Sequence, residues 1–63
     1  MDSLIPESFI SECREKIREV ELRQEWLQKH SFQEEVRVLQ IKIGGMFQIY
    51  NALLDYNKSV TNQ

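Results

Sequence analysis

Few residues in this chain have side chains that could carry out covalent or metal chemistry. The 63 residues include one cysteine, Cys13, and one histidine, His30. A nucleophilic cysteine needs an adjacent base, and no base is spaced from Cys13 to serve it. A structural zinc site needs about four clustered Cys, His or carboxylate ligands. The sequence therefore predicts neither a catalytic nucleophile nor a metal site, and it indicates Cys13 as a buried free thiol and His30 as a helix-capping side chain.

The many carboxylates of the first half are interleaved with basic residues. Three pairs have an acid four residues before a base: Glu12 and Lys16, Glu19 and Arg23, and Glu25 and Lys29. Such pairs stabilise a solvated helix by about 0.2–0.5 kcal/mol each. Carboxylates acting as a general acid and base require a pocket that tunes them, and a thin helical chain offers none. No catalytic residue, no cofactor and no enzymatic activity is expected.

The stretch from Ser31 to Tyr56 organises the rest of the chain. Its apolar residues recur in alternating steps of four and three: Phe32, Val36, Leu39, Ile43, Met46, Tyr50 and Leu53. This spacing draws one continuous apolar stripe along an α-helix. We therefore predict a helix over residues 32–57.

A second apolar stripe lies in the first half of the chain. Its members are spaced for one helix face, with one polar residue among them: Ile10, Cys13, Ile17, Val20, Gln24 and Leu27. Pro6 suits the first turn of a helix, because its missing N–H has no partner there and its φ is already helical. The pattern predicts a first helix over residues 6–29.

The two stripes are out of phase by one residue, which predicts a break between them at residues 30–31. Ser31 followed by Glu34 is the capping-box pattern of a new helix, while Lys29 and His30 suit the negative end of the first helix. A turn this short favours antiparallel neighbours. The alternative is one long, bent helix that absorbs the change of phase.

Gly44 and Gly45 are unexpected inside a helix, where each costs roughly 0.5–1 kcal/mol relative to alanine. One explanation is the close approach of another backbone at this level. The alternative is a β-hairpin with a Gly-Gly turn, since residues 36–43 show partial alternation of apolar and polar side chains. The unbroken helical stripe favours the helix.

The chain is expected to form one domain, residues 1–63, with a flexible tail at 58–63. A core this small is marginal, so we predict an all-α, antiparallel helical hairpin that dimerises into a four-helix bundle. Apolar residues outside the seam between the helices, together with one glycine, are the candidate protein interface: Leu22, Trp26, Val38, Ile41, Gly45, Phe47, Ile49, Leu54 and Tyr56.

Charge and composition favour a protein partner over nucleic acid or membrane. The formal net charge is −2, no apolar run is long enough to span a bilayer, and a cytoplasmic location is expected. The sequence indicates a small adaptor, inhibitor or regulator that binds itself and a protein target, of a kind that would also suit an accessory protein of a phage or mobile element. The expected architecture is similar to that of ROP, an up-down four-helix bundle. The alternatives are thus a ROP-like nucleic-acid-binding hairpin and a structural subunit of a larger assembly.

Overall fold

A computed structural model describes residues 3–62 of the chain, and in this range the protein consists of two α-helices and no strand. Helix α1 spans Glu7–Lys29 and helix α2 spans Gln33–Thr61. The all-α prediction is confirmed. No part of α2 pairs as a β-hairpin, so that alternative is wrong for the described residues.

The two helices pack side by side as an antiparallel hairpin. A three-residue connection joins them at one end. At the other end the side chain of Asn57 holds the backbone of Ile5: the Ile5 amide donates to Asn57 Oδ1 over 2.8 Å, and Asn57 Nδ2 donates to the Ile5 carbonyl over 2.9 Å. Because the start of the chain thus meets the end of α2, the hairpin prediction is confirmed and the single bent helix is wrong.

The seam between α1 and α2 is built from the two apolar stripes. Ile17 is 0% exposed, and Ile10 and Ile43 are each 5% exposed, so each contributes about 1.5–3 kcal/mol by burial. The remaining apolar members of both stripes, with one exception, are half-buried: Cys13, Val20, Leu27, Val36, Leu39, Met46, Tyr50 and Leu53. The exception is Phe32, which is 45% exposed, so its predicted place in the seam is wrong.

The single polar position of the first stripe is satisfied across the seam. Gln24 Nε2 donates to Gln40 Oε1 over 2.8 Å and to the Val36 carbonyl over 3.3 Å. Since both acceptors lie on α2, these bonds favour one alignment of the helices along their length. Gln24 thereby stabilises the alignment that brings the two stripes together.

The turn between the helices is a Schellman motif. The Phe32 amide donates to the Leu27 carbonyl over 3.0 Å, and the Ser31 amide donates to the Gln28 carbonyl over 3.2 Å, which are the two bonds that define this motif. Ser31 occupies the left-handed position usually taken by glycine, with φ of 64°. The predicted capping box is wrong: Phe32 is the N-cap of α2, and its side chain makes no capping hydrogen bond.

The end of α1 at Lys29 agrees with the prediction, and the other three helix ends differ from the predicted ones by one to four residues. Pro6 is the N-cap of α1, because its ψ of 140° is extended, and α1 begins at Glu7. Helix α2 continues to Thr61 with Asn62 as its C-cap, four residues beyond the predicted end, so residues 58–61 are helical where a flexible tail was predicted. Two features account for the extension. Val60 is half-buried, and the Asn57 side chain forms hydrogen bonds with the backbone of Ile5 and does not cap the helix. Residue 63 of the predicted tail lies outside the described range.

Candidate protein-interaction surface

The hairpin is more extended than a compact protein of the same size, and its accessible surface area is larger. Its radius of gyration is 15.0 Å, against about 11 Å expected for 63 residues. Its accessible surface is 5216 Å², against about 4,300 Å² expected for a compact monomer of this mass. The hairpin alone therefore leaves a large share of its apolar side chains in water.

Among residues 3–62 the exposed apolar side chains outnumber the buried ones. Of the described residues, only Ile10, Ile17 and Ile43 are buried hydrophobic residues. The exposed large apolar side chains are Leu4, Phe9, Leu22, Trp26, Phe32, Val38, Ile41, Ile49, Leu54 and Tyr56. Where such side chains form a contiguous patch, they mark interaction sites in soluble proteins.

The largest group lies on the side of α2 turned away from α1, which we name the outer face of α2. Its members are exposed and carry no charge: Val38, Ile41, Gly45, Gln48, Ile49, Ala52 and Tyr56. Val38, Ile41 and Ile49 are the most exposed apolar side chains of the helix, at 63%, 78% and 62%. Five of the nine predicted interface residues, among them Gly45 and Tyr56, therefore share one surface.

A second group, which we name the loop-end cluster, lies at the turn. The Trp26 and His30 rings stack with centroids 4.0 Å apart, and Trp26 stacks with Phe32 at 6.2 Å. His30 Nδ1 lies 2.8 Å from the Trp26 carbonyl, which confirms its predicted capping role. Trp26 nonetheless remains 54% exposed, as does Leu22 one turn earlier. The cluster presents an aromatic surface to solvent.

Phe47 and Leu54 flank the seam and are partly used within the hairpin. The Arg14 guanidinium carbon lies 5.4 Å from the centroid of the Phe47 ring, and Phe47 meets Tyr50 edge-on at 6.5 Å. Arg14 also reaches Glu21, with 3.9 Å between Nη1 and Oε1. Phe47 is consequently half-buried, while Leu54 is 40% exposed. Phe47 therefore contributes less to the free surface than the other predicted interface residues do.

Two shallow apolar grooves follow one edge of the hairpin. One, of about 290 Å³, lies near the turn and is lined by Arg23, Leu27, Glu34, Glu35, Val38 and Leu39. The other, of about 170 Å³, lies at mid-length and is lined by Cys13, Lys16, Ile17, Met46, Ile49 and Tyr50. Val38 thus lies between the first groove and the outer face of α2, and Ile49 lies between the second groove and the same face. Cys13 is half-buried as a free thiol, so the thiol is less enclosed than predicted.

The nine predicted interface residues do not form one patch. At roughly 100° per residue, Leu22 and Trp26 lie on the side of α1 that points away from α2. Sequence reasoning missed Phe32, because it was assigned to the seam. It also missed that Tyr56 is anchored within the hairpin, where its hydroxyl donates to the Ser3 carbonyl over 3.1 Å. No periodicity in the sequence indicates that contact.

Within the described part of the chain, no group of three His, Cys, Asp or Glu side chains is placed to hold a metal ion. Neither α1 nor α2 has a stretch that is both long and apolar enough to cross a membrane. Comparisons with protein-family models, with curated proteins and with solved structures found no match. The function is therefore argued from the geometry of the surface.

Proposed function

We infer that this protein is a small, non-enzymatic protein-interaction module that works as a homodimer and regulates or links a protein target. One observation carries the proposal: in residues 3–62 three buried apolar side chains are set against ten large exposed ones. Because a hairpin with so small a core is marginally stable, burial of the exposed residues against a second chain supplies stability as well as function. The cytoplasmic location predicted from the sequence belongs to the same proposal.

The two groups of exposed apolar residues suit two different partners. The outer face of α2 is long and free of charge, which suits a second copy of the same helix, since closed two-fold symmetry lets one patch serve both subunits. The loop-end cluster is compact and aromatic. Trp is among the residues most enriched at the energetic centres of protein interfaces, so we assign Trp26 and Leu22 to the protein target.

The homodimer is tested by placing a charge on the outer face of α2. Ile41→Glu is expected to convert a dimer into a less stable monomer, because Ile41 is 78% exposed in the hairpin and a buried, unpaired carboxylate is costly. Gln28→Glu, which makes the same change of charge at an exposed site on α1, is the matched control and is expected to remain dimeric. Light scattering measures both masses. A wild-type chain that is monomeric at high concentration would contradict the homodimer.

The protein target is tested separately from self-association. The tagged wild-type chain is expected to retain a protein partner at high salt, and Trp26→Ala is expected to lose that partner while its dimer mass is unchanged. Retention of the partner by Trp26→Ala would exclude the loop-end cluster as its binding site.

The ROP-like nucleic-acid-binding alternative requires free cations on α1, namely Arg14, Arg18, Arg23 and Lys29. Arg14 is engaged by Glu21 and by the Phe47 ring, and acids separate the others. Nucleic-acid binding through these residues would weaken steeply between low and physiological salt. Recovery of RNA or DNA with the tagged chain, with this salt dependence, would favour that alternative.

A further inference from the structure

The outer face of α2 lacks the charges that a water-exposed helix side normally carries. From Ile43 to Leu54 the helix contains no charged residue at all. At its centre, Gly44 and Gly45 have open space where a Cβ would stand, with no atom within 4 Å. Packing within the hairpin therefore gives no reason for either glycine, although each costs roughly 0.5–1 kcal/mol relative to alanine.

Four of the six charged residues of α2 are arranged symmetrically about this neutral stretch and with opposite sign. Arg37 lies nine residues before Met46 and Asp55 nine residues after it, while Glu34 lies twelve before and Lys58 twelve after. An antiparallel copy of α2 whose two-fold axis passes at the level of Met46 brings Glu34 level with Lys58 and Arg37 level with Asp55, whereas Glu35 and Lys42 have no charged residue at their level. A parallel copy in the same alignment sets Arg37 beside Arg37 and Asp55 beside Asp55.

Arg37 and Asp55 also lie on the same flank of α2. They are 18 residues apart, which is about five complete turns. In a two-fold antiparallel pair of helices, a given flank of one helix meets the same flank of the other, so the two residues are positioned to pair twice per dimer. Both side chains are exposed in the hairpin. Within one chain they are separated by about 27 Å along the helix, beyond the reach of a direct ion pair.

We propose that α2 packs antiparallel against α2 of a second copy, with the two-fold axis at the level of Met46 and with reciprocal ion pairs between Arg37 of one subunit and Asp55 of the other. This inference rests on the proposed homodimer and names its interface. The helices cross where Gly45 lies, and its missing side chain lets the axes approach more closely than the usual 8–10 Å. The two α2 helices are central and the two charged α1 helices lie outside them.

The pairing is tested by exchanging the two charges in the full-length chain. Arg37→Glu and Asp55→Arg each place like charges together twice per dimer, so each is expected to raise the dimer dissociation constant about tenfold at low salt. The double variant restores opposite charges and is expected to return within about twofold of wild type, with differences that shrink at high salt. Arg18→Glu, the same charge reversal on α1, is the matched control. Sedimentation equilibrium measures the dissociation constants of the wild type and of the four variants.

Cysteine cross-linking tests the direction of the helices independently. In a Cys13→Ser chain, Gly45→Cys places two thiols beside the axis, and mild oxidation is expected to give a covalent dimer. Glu34→Cys places its thiols about 36 Å apart along the antiparallel helices, so it is expected to stay uncross-linked. A wild-type dimer with no coupling between Arg37 and Asp55, or with cross-linking through residue 34, would overturn this interface and leave the homodimer standing. A monomeric wild type would overturn both.

Discussion

Ser31→Gly is expected to stabilise the hairpin, although serine at this position first suggests a helix cap. Ser31 has φ of 64°, and its amide completes the Schellman motif that ends α1. A left-handed conformation costs a residue other than glycine about 1–2 kcal/mol. Glycine removes that strain, and it also raises the entropy of the unfolded chain, which offsets about 0.4–1 kcal/mol of the gain.

The net gain is therefore about 0.5–1 kcal/mol, which corresponds to a rise of roughly 2–8 °C in melting temperature for a small domain. Thermal unfolding followed by circular dichroism, at one fixed protein concentration, measures it. Ser11→Gly is the matched control, because Ser11 is exposed within α1, where glycine is expected to lower the melting temperature.

The capping-box interpretation predicts a different pattern at the same residue. If Ser31 capped α2 through its hydroxyl, glycine would cost a few tenths of a kcal/mol and alanine about 0.5–2 kcal/mol. A lower melting temperature for Ser31→Gly than for wild type would refute the assignment of Ser31 to the left-handed position of the Schellman motif.

Three further changes test the hairpin itself by thermal unfolding. Asn57→Ala removes two hydrogen bonds to the N-terminal segment and is expected to cost about 1–3 kcal/mol, whereas Asn51→Ala, at an exposed site on the same helix, is expected to have little effect. Ile17→Ala, at a residue 0% exposed, is expected to cost about 2–5 kcal/mol and to leave little folded protein. In a chain already made monomeric by Ile41→Glu, Gly44→Ala is expected to add about 0.5–1 kcal/mol of stability, because its Cβ meets nothing. Equal stability of the two Asn variants, a folded Ile17→Ala or a destabilised Gly44→Ala would each contradict the contacts described.

Periodicity predicted the helices and their seam, because the spacing of apolar residues along one helix is local in sequence and indicates which face is buried. The alternating steps of four and three placed Ile17 and Ile43 between the helices, where the structure buries them. The same argument placed the turn near residues 30–31, because two stripes one residue out of phase cannot continue in one straight helix.

Features that depend on contacts between distant residues could not be predicted in this way. Asn57 stands at the predicted end of the second helix, but its side-chain amide binds the backbone of Ile5, 52 residues away. Ser31 is a residue type common at helix N-caps, but its amide donates to the Gln28 carbonyl, so Ser31 belongs to the Schellman motif that ends α1. Phe32 followed the stripe, but as the N-cap of α2 it lies beyond the seam and stacks on Trp26 instead.

The sequence predicted most residues of the candidate surface, but it did not predict how they are arranged. Sequence alone shows which apolar residues fall outside the seam, because that follows from helical phase. It does not show that Phe32 stacks on Trp26, or that Phe47 is partly covered by Arg14. Those facts require the packing of α1 against α2.

The most direct test of the proposed function is the mass of the wild-type chain in solution as its concentration is varied. Sedimentation equilibrium is expected to give twice the 7.6 kDa of one chain at high concentration and a shift toward one chain on dilution. The melting temperature is expected to rise with concentration in step with the mass, since association stabilises the folded state. A mass of one chain at every concentration, with a constant melting temperature, would contradict the homodimer and leave the outer face of α2 without its proposed partner.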